Sequence, residues 1–320
     1  MIFVAKVLII GAVGQIGSEL TLALRKKHGA DNVVASTRKT EFPPEINDGG
    51  PCEYFDVQDK EATVKVMKKY GIDTVYQLAS LLSATGEKNP DLAFQINLLG
   101  LKNSLDAARE CGVKRFFWPS SIAAFGPTTP RERTPQRTVL EPSTMYGVTK
   151  VAGELLCQYY FNKYGLDIRS VRYPGLISWK AEPGGGTTDY AVAIYYEAIL
   201  RNSYKCFVGP QTVLPMMYMP DAIRGTMELM DAPAERLTVR TSYNLAAISF
   251  SAKELAEEVA RHMPGFTCSY EPDSRQKIAD SWPKSIDDSQ ARKDWNWKHE
   301  YDLKKMSEDM LANLKVKLKK

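Results

Sequence analysis

"KVLIIGAVGQIGSEL", residues 6–20, decides the fold. Four aliphatic residues, Val7 to Ile10, run straight into Gly11, Gly14 and Gly17, and an amphipathic pattern follows. A buried strand that turns tightly into a helix presents the helix N-terminus to whatever lies beyond the strand end, which suits a pyrophosphate. Gly11 permits the turn, Gly14 lets the backbone approach the anion, and Gly17 allows the helix to pack closely; Gln15 and Ile16 complete the loop. Taken alone, the spacing also fits mere turn glycines, so the surrounding sequence has to decide.

With 320 residues, 44% hydrophobic and 25% charged, the chain can bury one large core with a satellite. Its 42 Lys+Arg against 38 Asp+Glu give a net charge of +4, dispersed and too small for a nucleic-acid stripe. No apolar run reaches the roughly 18 residues of a membrane span. The start "MIFVAKVLII" leads into a strand without a basic segment or cleavage site, so a soluble chain trimmed of any targeting peptide is expected. Five scattered cysteines without C-x-x-C spacing, and His28, His262 and His299 far apart, predict reduced thiols and no metal.

Strand-like runs "NVVAS", "CEYFDV", "TVYQLA", "RFFWPSS" and "DIRSVRY" follow the first one. Helical periods lie between them, as at Ile16, Leu20, Ala23 and Leu24, or Val64, Met67 and Lys68 up to a stop at Gly71. The alternation predicts an α/β fold, a doubly wound parallel sheet with helices on both faces. After Tyr173 the pattern loosens into "SWKAEPGGGTTDYA", a helix over about 189–201, and a Lys-rich terminus read as a solvated helix end. The predicted division is 1–176 with 212–247 for the dinucleotide-binding domain, and 177–211 with 248–320 for a smaller α/β substrate lobe. Gly184 to Gly186, without side-chain anchors, are expected to be mobile and to close over a small substrate.

At the end of the second strand stand Ser36, Thr37 and Arg38, where an acid would hold the ribose of NAD. An arginine there could hold a 2′-phosphate or could be an exposed turn residue. Asp56 follows the third strand as an adenine contact. "SSIAAFG" ends the fifth strand, and "YGVTK" begins 25 residues after Ser121, so Ser121, Tyr146 and Lys150 can meet at the sheet's C-terminal edge. Pro119 supports a strand ending there. Tyr146 and Lys150 share a helical face. Lowering a tyrosine from ~10 to about 7 requires roughly 4 kcal/mol, within reach of an ammonium and an oxidised nicotinamide. Ser121 would hold the reacting oxygen.

Together, "GAVGQIG", "FDVQD", "INLLGLKNSLDAARECGVKRFFWPSS", "YGVTK", "RYPGL" and "DDSQARKDWNW" resemble the extended short-chain dehydrogenases/reductases over nearly the whole chain. The resemblance implies a seven-stranded Rossmann sheet, a C-terminal substrate lobe and a homodimer built on helices. Most such proteins act on nucleotide sugars. Here Ser121 is followed by Ile122 and Ala123 instead of an acid, "RYPGLISW" lacks the usual asparagine, and Leu214 to Met217 stand where an arginine is usual. "LLSATGEKNP", "RYPGLIS", "GGGTTDYA" and "MYMPDAIR" look like the short-chain L-threonine 3-dehydrogenases.

That resemblance implies oxidation of the threonine β-hydroxyl by NAD to 2-amino-3-oxobutanoate, which decays to aminoacetone or is cleaved with CoA by a partner enzyme to glycine and acetyl-CoA. Tyr146 would be the base, Ser121 its hydrogen-bonding partner at the oxygen, and Lys150 the tuning and ribose-binding residue. Val57, Leu78, Ala79, Asn97, Tyr173, Pro174 and Leu176 would join the cofactor site. Ser83, Thr187, Thr188 and Trp282 would hold the amino acid, although Thr187 could instead cap a helix and Trp282 fill a core. Kinship favours NAD over NADP. Relatives in eukaryotes imply a mitochondrial destination, and otherwise the cytoplasm. The alternatives are a nucleotide-sugar epimerase or reductase, and a non-catalytic NAD-binding sensor or scaffold.

Overall fold

The computed structural model describes residues 5–319, so the chain's first four residues and Lys320 lie outside the described residues. Strands β1 (Val7–Ile10), β2 (Val33–Thr37), β3 (Cys52–Tyr54), β4 (Thr74–Gln77), β5 (Arg115–Ser121) and β6 (Asp167–Tyr173) belong to one seven-stranded sheet. The later strands are β7 (Gly175–Ile177), β8 (Ser203–Cys206), β9 (Val213–Tyr218), β10 (Tyr243–Asn244), β11 (Ile248–Ser251) and β12 (Thr267–Tyr270). In the large sheet the order is β10-β6-β5-β4-β1-β2-β3, with every pairing parallel. The order reverses between β1 and β4, and ligands of open α/β sheets bind at the carboxyl ends beside such a reversal.

Helices α1 (Gln15–His28), α2 (Pro44–Asn47), α3 (Lys60–Tyr70), α4 (Ser83–Lys88), α5 (Pro90–Phe94), α6 (Gly100–Glu110) and α7 (Met145–Tyr164) lie in the first half. Helices α8 (Tyr190–Arg201), α9 (Met219–Asp231), α10 (Ala252–His262), α11 (Arg275–Asp280), α12 (Ser289–Trp295) and α13 (Leu303–Lys317) lie in the second. The sheet separates two apolar cores, because alternate strand residues point to opposite faces. Ile9, Tyr76 and Phe117 face a core with Leu20 and Leu24 of α1 and Leu229 of α9; Leu8, Val75 and Phe116 face one with Leu101 and Leu105 of α6 and Cys157 of α7. A third core, around Tyr190, Tyr195, Leu214, Phe250 and Met310, fills the second lobe.

The helix signals behave as their chemistry requires. Gly71 closes α3 at φ +61°, a left-handed position that glycine adopts without strain. The terminal lysines do more than solvate a helix end: Lys317 Nζ donates to the carbonyls of Trp179 and Lys180, at 3.3 and 2.9 Å. Strand β9 joins the two parts, pairing with β7 and β11 while Met217 turns into the core of the large sheet. Among the described residues, no helix is long and apolar enough to cross a membrane.

Candidate active site

The glycine loop is shaped by contacts that leave little choice of residue. Gly11 turns at φ +90°, and a Cβ there would lie 2.8 Å from the Ala79 nitrogen. A Cβ on Gly17 would lie 2.2 Å from the Gly11 carbonyl, so Gly17 lets α1 pack directly on the turn that ends β1. Gly14 is extended (φ −76°, ψ 175°) and open, with 3.4 Å to its nearest neighbour. No acidic residue occupies the first turn of α1. The free N–H groups of that turn face the cleft with the positive end of the helix dipole, which fits a pyrophosphate.

Two adjoining clefts, of about 280 and 150 Å³, follow the carboxyl ends of the sheet. The first is walled by Gly11, Gly14, Ser36, Thr37, Arg38, Asp56, Val57 and Ala79; the second by Gln15, Ile16, Ser83, Ser121, Tyr146, Lys150, Tyr173, Pro174, Leu176, Thr187, Thr188 and Trp282. Leu78 lies between them and lines both. Gly17 and Asn97, also expected at the cofactor, are absent from both walls.

Asn97 sits instead in a π-helical turn, Gln95–Leu99. Its side-chain oxygen accepts from Leu81 N at 2.7 Å and from the Ser80 hydroxyl at 3.1 Å, while its nitrogen donates to the Leu81 carbonyl and to Thr149. It pins the loop after β4 to α7 and acts on the cleft from behind. The Ser36 hydroxyl donates to Ile9 O at 2.9 Å and is left free only to accept, while Ser36, Thr37 and Arg38 all line the first cleft. Arg38 is half-exposed, 3.7 Å from Asp56. Tyr173 turns its hydroxyl to Thr226 in the core.

Strand β5 delivers the next group. Its pairing with β4 ends at Phe117, but its pairing with β6 runs on to Ser121, and this divergence opens the cleft. Pro119 thus lies past the strand end on one side and inside the ladder on the other. Thr144 caps α7 through Gly147 N, and a Cβ on Gly147 would meet the Ala123 carbonyl at 2.2 Å, so the start of α7 lies against the segment after Ser121. That contact brings Tyr146 beside Ser121 in the wall of the second cleft, where the serine hydroxyl favours the phenolate.

Burial pushes the Tyr146 phenol up to about 12, against the smaller downward pull of Ser121. Burial also brings the Lys150 ammonium down to about 7, with Glu154 and Cys157 opposing. Lys150 does not reach the Tyr146 hydroxyl. Its Nζ donates to the Pro119 carbonyl at 2.6 Å and lies 5.2 Å from the centre of the Tyr146 ring. The expected phenolate therefore is not a property of the tyrosine and lysine alone, because one buried cation at that distance does not outweigh desolvation.

On the opposite wall, the Ser83 and Thr187 hydroxyls meet at 3.4 Å. Thr187 does not cap α8, whose preceding residue is Asp189. The Asp189 carboxylate accepts from Gly185 N at 2.7 Å and Gly186 N at 2.8 Å, so the glycine loop is anchored, contrary to the expectation of a segment without anchors. Gly175 has Thr188 against it, where a Cβ would lie 2.8 Å from the threonine methyl. Leu214, Met216 and Met217, standing where a sugar-nucleotide arginine is usual, are fully buried.

The sequence reading missed a charged layer beneath the site. Ser120 donates to Glu154, which Arg172 of β6 grips through two nitrogens, at 2.9 and 2.7 Å. Glu154 four residues after Lys150, and an arginine inside the apolar run "SVRY", were the available signals. The described residues contain no cluster suited to a metal ion, and all five cysteines are free.

The model of the NAD dependent epimerase/dehydratase family matches residues 7–246. A relative in Staphylococcus haemolyticus, known only as an uncharacterized epimerase/dehydratase, is 50% identical over 98% of both chains. The solved L-threonine dehydrogenase of Clostridium difficile superposes with a TM-score of 0.95 at 51% identity, covering 98% of each chain. A GalE-like L-threonine dehydrogenase from Cupriavidus necator, in its holo form, gives 0.93 at 53% identity, covering 97% of this chain and 99% of its own. The parallel sheet, the glycine loop and the Ser121–Tyr146–Lys150 cleft thus have their counterpart in sequence: this chain belongs to the NAD-dependent epimerase/dehydratase family.

Proposed function

We propose that the protein is an L-threonine 3-dehydrogenase, oxidising the β-hydroxyl of L-threonine to give 2-amino-3-oxobutanoate with NAD as acceptor. The observation that carries the reading is the second cleft: about 150 Å³, floored by Ser121, Tyr146 and Lys150 and faced by the Ser83 and Thr187 hydroxyls. The same walls take the nicotinamide end of NAD, and the space left beside these hydroxyls suits one small amino acid better than a nucleotide sugar. Threonine dehydrogenases are also this chain's structural relatives at about half identity. NAD bound along the two clefts supplies the hydride acceptor for the substrate's β-carbon.

Tyr146 takes the β-hydroxyl proton and Ser121 holds the same oxygen. Lys150 lies under the tyrosine ring and presents positive charge to the site and to the ribose. Ser83, Thr187 and Thr188 orient the amino acid, and Trp282, 5% exposed, covers it from water. Gly11, Gly14, Gln15, Ile16 and Gly17 form the pyrophosphate turn. The test is NADH absorbance after mixing protein, NAD and L-threonine, repeated with a UDP-sugar. A signal with threonine alone supports the reading; a signal only with the UDP-sugar replaces it with the epimerase or reductase alternative, and none with either leaves the non-catalytic sensor.

The preference for NAD over NADP rests on Asp56 beside Arg38, since a carboxylate facing the guanidinium opposes an added phosphate. Thr37→Asp is expected to raise the ratio of kcat/KM for NAD to that for NADP by at least about tenfold, because a second carboxylate binds ribose hydroxyls and repels phosphate. A wild type faster with NADP would reverse the assignment.

The homodimer is proposed on an exposed apolar face. Val148, Leu155 and Tyr159 share one side of α7, and Leu92 and Phe94 of the adjacent α5 and Leu99 of the π-helical turn after it are exposed. Sedimentation at micromolar concentration is expected to give twice the chain mass, and the double variant L155E/Y159E the single mass; a wild type sedimenting as one chain refutes it. We also retain the division into 1–176 with 212–247 and 177–211 with 248–320, and functional coupling to a CoA-dependent enzyme that cleaves the product. The staphylococcal relative lends no support to a mitochondrial destination, and the cytoplasm is the proposed compartment.

A further inference from the structure

Lys150 is buried in apolar surroundings, with the Trp118 ring 4.6 Å from its Nζ. A buried ammonium needs a counter-charge or it gives up its proton. The groups around it are few. From its own helix come Tyr146, Glu154 and the Cys157 thiol, which burial keeps protonated. From β5 come the Pro119 carbonyl and the Trp118 ring, and from β6 comes Arg172, beyond Glu154. Glu154 is the one carboxylate among these described neighbours.

Glu154 also holds the strand that carries Ser121. Lys150 binds the carbonyl of Pro119 at 2.6 Å and Glu154 binds the hydroxyl of Ser120 at 2.6 Å, so α7 grips the two residues before Ser121. Behind the carboxylate, Arg172 passes a nitrogen to Gln136 O and to Asn244, both at 3.1 Å. Asn244 in turn donates to the carbonyls of Thr134 and Asp287, in the segments flanking the Trp282 wall. One buried layer therefore connects the catalytic helix, the Ser121 strand and the far side of the cleft.

We propose that Glu154 is a positioning residue of the active site: its carboxylate is the counter-charge of Lys150 and, through Ser120 and Arg172, the clamp that fixes Ser121 opposite Tyr146. The proposal rests on the reading of Tyr146 and Lys150 given above. Arg172 orients Glu154 by gripping both carboxylate oxygens, at 2.9 and 2.7 Å. The charge and the clamp are separable, because glutamine keeps an acceptor for Ser120 while losing the charge, and Ser120→Ala loses the bond while keeping the charge.

The experiment is the pH dependence of kcat for threonine at saturating NAD, from about pH 6 to about pH 10. Removing the carboxylate removes what favours the Lys150 ammonium, so E154Q is expected to lose activity at lower pH, its alkaline limb moving acid by about one unit or more. Ser120→Ala is expected to lower kcat several-fold with the limb unmoved. An E154Q profile scaled down evenly at every pH, or a limb that moves in Ser120→Ala, overturns the proposal; the second variant still decides if E154Q does not fold. A wild type that forms no NADH with threonine defeats the functional reading, whereas a working wild type with an unmoved E154Q limb defeats only the role of Glu154.

Discussion

Tyr146→Phe lowers kcat for threonine by about 10²- to 10⁴-fold, the usual worth of a positioned acid–base group. The change removes one hydroxyl beside Ser121, so stability should alter by no more than about 1–2 kcal/mol and NAD should still bind. Burial has already taken the phenol up to about 12. Reaching about 7 from there needs about 7 kcal/mol, against the ~4 that an unperturbed tyrosine would need. Lys150, whose Nζ lies 5.2 Å from the ring centre and is bound to the Pro119 carbonyl, supplies only part of that. A second positive charge at similar range, that of an oxidised nicotinamide, is therefore required, and the base becomes active only in the loaded site. Since the deprotonated form is the working one, turnover of the wild type rises with pH until Lys150 loses its proton. Stopped-flow NADH formation and a melting curve check the variant; activity within tenfold of wild type would remove Tyr146 from the role of base.

The parts of this site that lay in one local pattern were legible in the sequence. Gly11, Gly14 and Gly17 announce a turn because strand and helix adjoin them, and Tyr146 and Lys150 announce a shared face because they are four residues apart. The strand alternation sufficed for a doubly wound sheet, since covered parallel strands must be apolar on both sides. What escaped depended on partners distant in sequence. Ser36 gave no sign that its hydroxyl donates to Ile9 O, across a strand pair, and so can only accept from a ligand. Asn97 looked like a cofactor contact, yet all its hydrogen bonds hold the loop 80–81 and Thr149. The glycine run at 184–186 looked unanchored because its anchor, Asp189, acts through backbone N–H groups that no residue pattern reveals. Glu154 and Arg172 belong to a helix and a strand whose only shared signal is charge in an apolar context.

Gly14→Ala and Gly17→Ala should fail in different ways, although both replace one hydrogen by a methyl in the same turn. At Gly17 the new carbon would lie 2.2 Å from the Gly11 carbonyl and 2.9 Å from the backbone of Ala12, and none of these atoms can rotate away. Backbone must move, at a cost of about 1–3 kcal/mol or more, which corresponds to a fall in melting temperature of several degrees for a protein this large. Gly11 transmits the displacement, being itself close against Ala79, in the loop just past β4. Gly17→Ala is thus expected to lose stability without cofactor present, and NAD affinity with it. At Gly14 the backbone is extended, a conformation any residue adopts, and the nearest atom stands at 3.4 Å. The free protein should melt as the wild type does. The methyl would then occupy the side from which an anion must approach the first turn of α1, weakening NAD by about 10- to 100-fold, or roughly 1.4–2.8 kcal/mol. Calorimetric melting with and without NAD separates the cases, because a bound ligand raises the transition in proportion to its affinity. A Gly14→Ala protein that NAD stabilises as well as it does the wild type would show that the pyrophosphate lies elsewhere, and the two clefts would then need a different occupant.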